Sequence, residues 1–490
     1  MAEAIMGLGG INTESIYADI PFEELSSKLD ILKQRYIDGN IPGLAERKER
    51  LKKLIDIVEE NSDAFGEAIQ SDFGTRHQQI SLLADVRSTL SFANYSYKNV
   101  SSWMQPVKRS PNFPLNLLGA KARVHYQPYG VVGIISPWNF PVNLSIGPLV
   151  DAFAAGNAAM IKLSEFVPRT SQLVENLIKE NFSESEVVVI NGAMQTSIDF
   201  TKLPFDHLIY TGSTDIAKKV SSEAAKNLVP LTLELGGKSP TIVSKNADLQ
   251  KSINKIMFGK LFNGGQICVS PDYGFIPENK INDFISASKE FVGEKFPTIK
   301  NNPDYTSLVH QSHYERVRGY IDDARAKGAE IIEINPANED FSQQEHHKIP
   351  PTFVLNVNDD MEIMKNEIFG PVMPLMTYKD FDESIAYINK RPKPLAMYYF
   401  GSDDNEINQL QNRTSSGSLV VNETIFQTAQ YNLPFGGVGS SGSGSYRGKD
   451  GFKNFSHKRS FFKGSSLIDA TKLIFAPYDE KTEKNIKRLS

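Results

Sequence analysis

Val131-Val-Gly-Ile-Ile-Ser-Pro-Trp-Asn-Phe-Pro141 begins with a continuous apolar run and ends in a turn. Such a run is typical of a strand that is buried on both faces of a parallel sheet. The apolar residues at 144–155 then predict a helix, and Ala158-Ala-Met-Ile-Lys162 predicts a second strand. A strand, a helix and a second strand in this order indicate a βαβ unit with parallel strands.

The same alternation of strand and helix continues to Glu234. Further strands are predicted at 187–190, 207–210 and 231–234, with helices at 169–181, 197–203 and 214–228. Repeated βαβ units indicate a doubly wound α/β sheet, in which ligands bind at the carboxyl ends of the strands. The residues at or just past these ends that suit ligand binding are Asn139, Lys162, Gly212 and Glu234.

The rest of the chain also divides into recognisable parts. Helical spacing of apolar residues predicts packing helices at 22–38, 44–73 and 78–104. Residues 241–400 show another round of strands and helices, which predicts a second α/β domain. Lys121–Gln127 alternates polar and apolar residues and predicts a ribbon strand, and the pattern of 451–462 is typical of an edge strand.

Composition limits the class of protein. The chain has 490 residues, so two or more domains are expected. A net charge of −5 gives no chain-wide basic footprint for nucleic acid. The first ten residues lack the basic cluster of a secretory signal, and no window reaches the about 18 apolar residues of a membrane helix. One cysteine fits a reducing compartment, so we expect a cytoplasmic protein without nucleic-acid or membrane partners.

The only cysteine of the chain lies in Asn263-Gly-Gly-Gln-Ile-Cys268. A single cysteine cannot form an internal disulfide, which leaves a core thiol, a surface thiol or a nucleophile. Gly264 and Gly265 permit positive φ and a close approach of the backbone to a ligand. On a turn of this kind, between a helix and a strand, a sulfur is able to face a cleft, where a lowered pKa would make it a thiolate.

Residues at three strand ends are candidates for catalysis or ligand binding, but each also has a common structural explanation. Glu234, before two glycines, is a candidate general base or an exposed strand-end acid. Gly212-Ser-Thr214 opens a helix whose backbone amides suit a pyrophosphate, although Ser and Thr are also common helix caps. Lys162 and Glu165 are candidate ligand contacts, and their ordinary interpretation is a solvated loop.

The glycine-rich segments do not by themselves predict a nucleotide-binding site. The G-x-G-x-x-G fingerprint does not follow any strand predicted between 131 and 234. The densest glycine stretch, 434–445, lacks the G-K-[ST] ending of a P-loop. We therefore expect 434–445 to be a close-packed structural turn that lines a cleft.

Seven motifs, in matching order and spacing from about residue 25 to about residue 465, resemble the aldehyde dehydrogenase superfamily. They are Pro137-Trp-Asn-Phe140, Lys162-x-x-Glu165, Gly212-Ser-Thr214, Leu233-Glu-Leu-Gly-Gly-Lys-Ser-Pro240, Gly265-Gln-Ile-Cys268, Glu367-Ile-Phe-Gly-Pro371 and Pro434-Phe-Gly-Gly437. Each motif alone is weak, but seven in register are very specific. Pro394-Leu-Ala-Met-Tyr398 and Ser456-His457 resemble the class 3 branch, and Ser270-Pro-Asp-Tyr273 is similar to coniferyl aldehyde dehydrogenases.

The resemblance implies a mechanism and a substrate. Cys268 would attack the aldehyde, Asn139 and the Cys268 N–H would hold the oxyanion, and Glu234 would activate the water that hydrolyses the thioester. Phe140 and Phe435 would line a substrate tunnel, which suits an aromatic, coniferaldehyde-like substrate or a long apolar one. No metal is implied.

The resemblance also implies NAD as cofactor, with NADP possible. The implied cofactor contacts are Trp138, Lys162, Glu165, Gly212, Ser213, Thr214, Glu367 and Phe369. Glu165 would crowd a 2′-phosphate, which favours NAD. Two departures from the family pattern concern this site: Ala217 replaces a glycine and would narrow the pyrophosphate site, whereas Leu163 replaces a proline with little expected consequence.

The architecture implied by the resemblance has three parts and two ends. These are a flexible leader (1–20), a Rossmann-type NAD-binding domain (21–109 and 129–236), an α/β catalytic domain (237–444), a small β oligomerisation arm (110–128 and 445–480) and a frayed tail (481–490). Unpaired strand edges in the arm invite a partner, and the resemblance implies a homodimer or homotetramer.

Two other functions compete with a hydrolytic aldehyde dehydrogenase. Enzymes of the same fold that release an acyl-CoA lack the general-base glutamate, whereas Glu234 is present. A non-enzymatic structural relative would be expected to lose Cys268, Asn139 or Glu234, and all three are present. The same mechanism acting on medium or long aliphatic aldehydes remains the main alternative for the substrate.

Overall fold

The computed structural model describes residues 17–113, 115–466 and 469–487. Residues 1–16 of the expected leader therefore lie outside the described residues. The last residues of that leader are held in place, because Tyr17 Oη donates to the Pro168 carbonyl over 2.6 Å and the Ile20 N–H donates to Thr196 Oγ1 over 2.8 Å. The described residues form three sheets with helices packed around them.

A six-stranded sheet contains the strand Val131–Ile135 of the predicted βαβ unit. From one edge to the other its strands are Gly442–Ser443, Leu231–Glu234, His207–Thr211, Val131–Ile135, Ala158–Lys162 and Val187–Ile190. All neighbours are parallel except the first pair. Val131, Val132 and Ile134 are buried, which confirms the prediction from their continuous apolar run.

The helices of this part connect and cover the strands. Their bounds are Asn143–Ala155, Pro168–Asn181, Met194–Phe200 and Thr214–Lys226. Asn143–Ala155 is buried along its whole length, so it is the central helix of the layer. We predicted a helix at 197–203, whereas the helix spans Met194–Phe200 and residues 201–203 form a turn. Phe200 at the helix end and Leu203 in the turn both enter the core, so both fit the apolar pattern.

A seven-stranded sheet forms the second α/β unit. Its strands, in order, are Glu330–Glu333, Thr352–Leu355, Val372–Tyr378, Tyr273–Pro277, Pro240–Val243, Ala396–Phe400 and Ser418–Val421. Only Glu330–Glu333 runs antiparallel to its neighbour within the sheet. Its helices are Leu249–Leu261, Ile281–Lys295, Gln311–Ala326, Glu362–Lys365, Phe381–Asn389 and Asp404–Arg413.

A three-stranded antiparallel sheet combines Val107–Arg109, Lys121–Pro128 and Ser456–Lys463. The prediction of an edge strand at 451–462 is wrong for residues 451–454, because Gly448–Asn454 is a helix. Phe452 and Phe455 are buried, and a Cβ on Gly451 would lie 2.0 Å from Asp151 Oδ2. The bare glycine backbone therefore packs this helix against Asn143–Ala155.

The N-terminal and C-terminal helices differ from the predictions in two further respects. The N-terminal helices are Phe22–Ile37, Leu44–Glu60, Ser62–Phe73, Gln78–Ser81 and Ser88–Trp103, with a π-helix at Leu82–Arg87. The predicted continuous helix over 78–104 is therefore interrupted by a wider turn, which lies beside the candidate site described below. At the other end of the chain Glu480–Lys487 is helical, where we expected a frayed tail.

Within the described ranges, no helix has the length and apolar character that a membrane crossing requires.

Candidate active site

The turn that presents Cys268 is fixed by its own backbone. It follows the helix Leu249–Leu261, and Asn263, Gly264 and Gly265 all have positive φ (54°, 62° and 75°). A Cβ on Gly265 would lie 2.3 Å from the Gly370 carbonyl oxygen, so only glycine allows this close approach. The predicted positive φ of Gly264 and Gly265 is confirmed, whereas the close approach of Gly265 is to protein backbone; Cys268 itself is half-buried.

Gln266 holds the same turn from inside. Its amide nitrogen donates to the Asn263 carbonyl over 2.9 Å and to the Ser307 carbonyl over 3.1 Å. Its amide oxygen accepts from the Val309 N–H over 3.0 Å. Because all three hydrogen bonds are buried, contacts within the protein interior fix the position of the turn, and solvent does not.

Asn139 lies next to this turn. Its side-chain Nδ2 donates to the Gln266 carbonyl over 3.1 Å, and its own carbonyl accepts from Asn263 Nδ2 over 3.2 Å. An amide nitrogen has two hydrogens, so one remains available to a ligand oxygen. The structure therefore brings Asn139 and Cys268 together from segments more than a hundred residues apart.

Glu234 ends its strand in the interior, not at the surface. It is 3% exposed, and neither carboxylate oxygen has a hydrogen-bond partner among the described residues. Burial raises the pKa of Glu234 well above its usual range, and the charge of Arg447 partly opposes this shift. A buried carboxyl group with two free oxygens and a raised pKa is suited to accept a proton from water or a thiol.

The electrostatic setting of Cys268 differs from our expectation. Burial raises the pKa of the Cys268 thiol to about 12, and the carboxylates of Glu367 and Glu234 add to the rise. The expectation of a lowered thiol pKa is therefore wrong for the protein alone, because burial disfavours the charged thiolate and two acidic groups nearby disfavour it further. The thiol must transfer its proton to a base when it attacks.

Lys162 and Glu165 form the end of a neighbouring strand. Lys162 is 1% exposed, its Nζ donates to the Leu163 carbonyl over 2.6 Å, and it lies 3.7 Å from Glu165 Oε2. Burial lowers the pKa of Lys162, and Glu165 opposes this shift. The interpretation as a solvated loop is wrong for Lys162, since a buried, oriented ammonium group beside a carboxylate is suited to bind hydroxyl groups.

Gly212, Ser213 and Thr214 lead into the helix Thr214–Lys226. A Cβ on Gly212 would lie 2.2 Å from Tyr210 Oη, so a larger residue here would displace the Tyr210 hydroxyl group. Ser213 is the N-cap but its side chain makes no capping hydrogen bond, which leaves backbone N–H groups of the first turn for an anion. Ala217, which we expected to narrow this site, has its methyl group buried in the core under the helix.

Glu367, Phe369 and Trp138 are the remaining predicted cofactor contacts. A Cβ on Gly236 would lie 2.1 Å from Glu367 Oε1, so this carboxyl group rests on a bare backbone. Burial raises the pKa of Glu367 to about 8, with Asp272 adding to the rise. Phe369 has a φ of 49° and its ring lies 5.5 Å from that of Trp138, edge to face.

Phe140, Phe435 and Cys268 belong to the same part of the interior. All three pack against the same hydrophobic cluster of the second α/β unit. The Phe140 ring lies 5.0 Å from the Arg76 guanidinium carbon, and the Phe435 ring lies 4.7 Å from that of Arg447. The role of Phe140 and Phe435 in a substrate tunnel stays a prediction.

Residues 42–461 match the family model described as the aldehyde dehydrogenase family. The chain belongs to the aldehyde dehydrogenase family. A probable coniferyl aldehyde dehydrogenase of Caulobacter vibrioides is 48% identical over 92% of this chain and 94% of its own length. The coniferyl aldehyde dehydrogenase of a Pseudomonas species is 43% identical over 97% of both chains.

The fold also matches solved structures. The substrate-bound state of AldH from Staphylococcus aureus superimposes with a TM-score of 0.88 at 34% identity, covering 95% of this chain and 99% of that one. The predicted fold, with an α/β cofactor-type sheet, a second α/β unit and a small β sheet, is therefore confirmed as the aldehyde dehydrogenase fold.

Charged residues that the sequence did not indicate support this aldehyde dehydrogenase site. Arg76 and Asp85 form a fully buried ion pair over 2.6 Å. Arg76 Nη1 also donates to the Asn139 carbonyl over 2.8 Å, and Asp85 accepts from the Val142 N–H over 3.1 Å. Asp85 lies on the π-helix, which widens the turn at this point; no sequence signal indicates such a helix.

Two more groups near the site were also missed. The His313 ring lies 4.8 Å from Trp138 and 5.5 Å from Phe166, extending the aromatic wall from Phe369 toward Glu165. Burial and the charge of Arg316 lower the pKa of His313 to about 3, so this ring is neutral. Arg447, in the segment after the glycine-rich turn, is the second missed group. Among the described residues, no cluster of three metal-ligating side chains is present.

Proposed function

We propose that this aldehyde dehydrogenase oxidises an aromatic aldehyde of the coniferaldehyde kind to its carboxylic acid, with NAD or NADP as oxidant and Cys268 as nucleophile. The observation that carries this proposal is the convergence of Asn139 on the Cys268 turn, with the charge of Glu234 acting on the same thiol. The aromatic substrate is supported by the similarity to coniferyl aldehyde dehydrogenases and by the rings of Phe140 and Phe435, which pack against the same hydrophobic cluster as Cys268.

The first chemical step forms a covalent bond. Cys268 Sγ attacks the aldehyde carbon while its proton leaves to a base, which gives a thiohemiacetal whose oxygen is negatively charged. The free hydrogen of Asn139 Nδ2 and the backbone N–H of Cys268 stabilise this oxyanion. Loss of one such donor typically costs a factor of about 10²–10³ in rate, so the fixed position of Asn139 is a large contribution.

The cofactor-side residues fit a dinucleotide. The uncapped helix start at Ser213, over the bare Gly212, suits a pyrophosphate, and the Lys162–Glu165 pair suits ribose hydroxyl groups. Glu367 would hold the second ribose, and Phe369 and Trp138 would contact the nicotinamide. When bound, the nicotinamide accepts the hydride that the oxidation releases.

The last step is hydrolysis of the thioester on Cys268. Glu234 accepts a proton from water as the water adds to the acyl carbon, and the sulfur then leaves and recovers a proton. Both Glu234 oxygens are free of protein hydrogen bonds among the described residues, which suits them to bind water. A carboxylate in this position supports release of an acid rather than transfer to coenzyme A.

We also propose the domain division and the assembly. Residues 21–109 and 129–236 would bind the cofactor, residues 237–444 would carry the nucleophile, and residues 110–128 and 445–480 would form the arm, which Val107–Arg109 extends by one strand. The outer strand of the arm, Ser456–Lys463, is exposed over most of its length, which supports a homodimer or homotetramer through this edge. A reducing, cytoplasmic location is supported by the free thiol of Cys268.

One assay tests the proposed reaction. Purified protein is mixed with NAD or NADP and coniferaldehyde, and formation of the reduced cofactor is followed by absorbance, with Cys268→Ser as the control. Turnover without coenzyme A that disappears in Cys268→Ser supports the proposal. Faster turnover of aliphatic aldehydes would contradict the aromatic substrate, dependence on coenzyme A would contradict hydrolysis, and activity in Cys268→Ser would contradict the nucleophile.

A further inference from the structure

Arg76 and Asp85 form a fully enclosed ion pair beside the segment that begins at Asn139. Arg76 Nη2 lies 2.6 Å from Asp85 Oδ2, and both residues are 0% exposed. Arg76 Nε has no hydrogen-bond partner among the described residues. A buried ion pair loses hydration that its own attraction only partly returns, and an unpaired donor adds to that cost. Stability alone is therefore a weak explanation for this pair.

The pair holds the segment at two points. Arg76 Nη1 donates to the Asn139 carbonyl over 2.8 Å. Asp85 Oδ1 accepts from the N–H of Val142 over 3.1 Å and from the N–H of Asn143 over 3.3 Å. Because one nitrogen of the rigid guanidinium binds Asp85 and the other binds the Asn139 carbonyl, the position of the carboxylate fixes that of the carbonyl.

The Asn139 carbonyl is also held from a second direction. Asn263 Nδ2 donates to it over 3.2 Å, so both lone pairs of this oxygen are used. The side chain of Asn139 is tied separately, because its Nδ2 donates to the Gln266 carbonyl over 3.1 Å. Backbone and side chain together set the direction of the remaining N–H of the Asn139 amide.

Aromatic rings orient the guanidinium of Arg76 as well. Its carbon lies 5.0 Å from the centre of the Phe73 ring and 5.0 Å from that of Phe140. Contacts of this kind favour a fixed orientation of the planar guanidinium group. Phe140 follows Asn139 directly, so the same cation contacts two consecutive residues of the segment.

Asp85 is placed by an irregular part of its helix. It lies on the π-helix Leu82–Arg87, and its backbone carbonyl accepts from Thr89 Oγ1 over 2.5 Å. The same hydroxyl group accepts from Asn143 Nδ2 over 3.1 Å. π-Turns are frequent at functional sites. The element that carries Asp85 is therefore bonded to the Asn139 segment through a side chain of its own next turn.

We propose that Arg76, held by Asp85, is a positioning residue that orients Asn139 as the donor to the oxyanion. This inference rests on the proposed function of Asn139 and Cys268. Arg76 acts indirectly, through the peptide group between Asn139 and Phe140. When that peptide group is released, the Asn139 side chain loses its fixed direction, and the negative oxygen loses a preorganised donor.

Two reactions of Cys268 report this role without aldehyde or cofactor. With para-nitrophenyl acetate, the thiolate adds to the ester carbonyl carbon, the carbonyl oxygen becomes an oxyanion, and para-nitrophenolate then leaves, so a thioester remains. With iodoacetamide, the same thiolate displaces iodide and forms no oxyanion. The ratio of the acylation rate to the alkylation rate therefore measures the oxyanion donor and not the reactivity of the thiol. Stopped-flow absorbance gives the first rate and mass spectrometry the second.

Arg76→Lys and Arg76→Met remove the guanidinium. Lysine keeps a positive charge beside Asp85, but a single ammonium nitrogen does not reproduce the planar contact with two acceptors. Acylation is expected to slow about 10- to 100-fold in each variant, while alkylation stays near the wild-type rate. Because Arg76→Lys leaves no uncompensated buried charge, it decides the test if Arg76→Met does not fold, as judged by circular dichroism.

Asn139→Ala identifies the route of the effect. Arg76→Lys should slow acylation in the wild-type background and have no further effect in Asn139→Ala, because the two changes remove the same donor. Arg47→Lys is the matched control. Arg47 is 3% exposed and also donates to backbone carbonyls, at Pro42 over 2.9 Å and at Ala154 over 3.0 Å. Its ratio of acylation to alkylation should equal that of the wild type.

A wild-type ratio in any folded Arg76 variant would overturn the inference, as would a loss of the same size in Arg47→Lys or in the Asn139→Ala background. The outcome is separable from that of the proposed function. Slow acylation through Asn139 in a protein that oxidises no aldehyde would support the role of Arg76 and contradict the enzymatic proposal. Aldehyde oxidation together with a wild-type ratio would do the reverse.

Discussion

At the scale of single residues, the site combines groups that the sequence indicated with groups that it did not. Asn139 and Glu234 were predictable because parallel strands place their carboxyl ends at one edge, and Cys268 because it is the only thiol. Arg76 and Arg447 were not predictable, since each reaches the site from a distant segment and has no local pattern. The raised thiol pKa also escaped prediction, because it arises from burial and two acidic neighbours.

Asn139→Ala is expected to lower kcat/KM by about 10²–10³ with little change in KM. The side chain contributes a donor to the oxyanion, which exists after attack and not in the ground state. Steady-state kinetics measures the effect, and the alkylation rate of Cys268 serves as a check that the thiol itself is unchanged. A loss confined to KM would contradict the assigned role.

Glu234→Gln is expected to separate the two halves of the reaction. Acylation should persist and give a burst of reduced cofactor that approaches one per active site, while steady turnover falls by about 10²–10⁴ because the general base is lost. Stopped-flow absorbance distinguishes the burst from turnover. Full turnover in this variant would exclude Glu234 as the base for hydrolysis.

The same substitution should change stability in a pH-dependent way. The pKa of Glu234 is raised in the folded protein, so the folded state holds its proton more tightly than the unfolded state. Stability is therefore lost as pH rises above the unfolded pKa. Glu234→Gln should be more stable than the wild type at neutral pH, by about 1–3 kcal/mol, with the difference vanishing in acid. Urea unfolding at several pH values measures it.

At the scale of elements, the strands were predicted better than the segments between them. The continuous apolar run at 131–135, which is bounded by turn residues, correctly predicted a buried strand. The segment 451–462 was misassigned because its two phenylalanines fit a strand pattern equally well, whereas Gly451 allows a helix to pack on Asp151. The π-helix at Leu82–Arg87 was hidden inside an ordinary helical pattern.

Gly265→Ala tests the element that presents the nucleophile. The new Cβ would meet the Gly370 carbonyl and the backbone would be held at positive φ, so we expect a loss of stability of about 1–3 kcal/mol and a large loss of activity. Gly319→Ala is the control, because it lies inside the helix Gln311–Ala326 and a Cβ there meets nothing within 4 Å. That change should stabilise by up to about 1 kcal/mol. Equal effects of the two variants, in thermal unfolding, would contradict a role for the tight turn.

At the scale of the whole molecule, the alternation of strands and helices predicted two α/β units and a ribbon, but not how they meet. The pairing of 442–443 with the end of Leu231–Glu234 joins distant parts of the chain into one sheet, and no local pattern indicates it. Contacts of this kind depend on the complete fold. They are also what brings the segment of Arg447 to the site.

The proposed assembly makes a prediction about the outer edge of the ribbon. Phe462 lies on Ser456–Lys463 and is 57% exposed, so Phe462→Asp should leave the fold intact and shift the protein toward monomer. Leu228→Asp, at an apolar position elsewhere that is 89% exposed, is the control and should keep the wild-type assembly. Sedimentation velocity compares the two. An unchanged sedimentation coefficient for Phe462→Asp would place the subunit contact elsewhere.

The solitary sulfur at position 268 has a consequence for survival under oxidative stress. Once peroxide converts it to a sulfenic acid, no second sulfhydryl exists along the polypeptide to trap that species as a reversible bridge. Repair must come from small thiols in the surroundings, and further oxidation would silence the subunit permanently. The high thiol pKa works in the opposite direction, since a protonated sulfur reacts slowly with peroxide while the protein is idle.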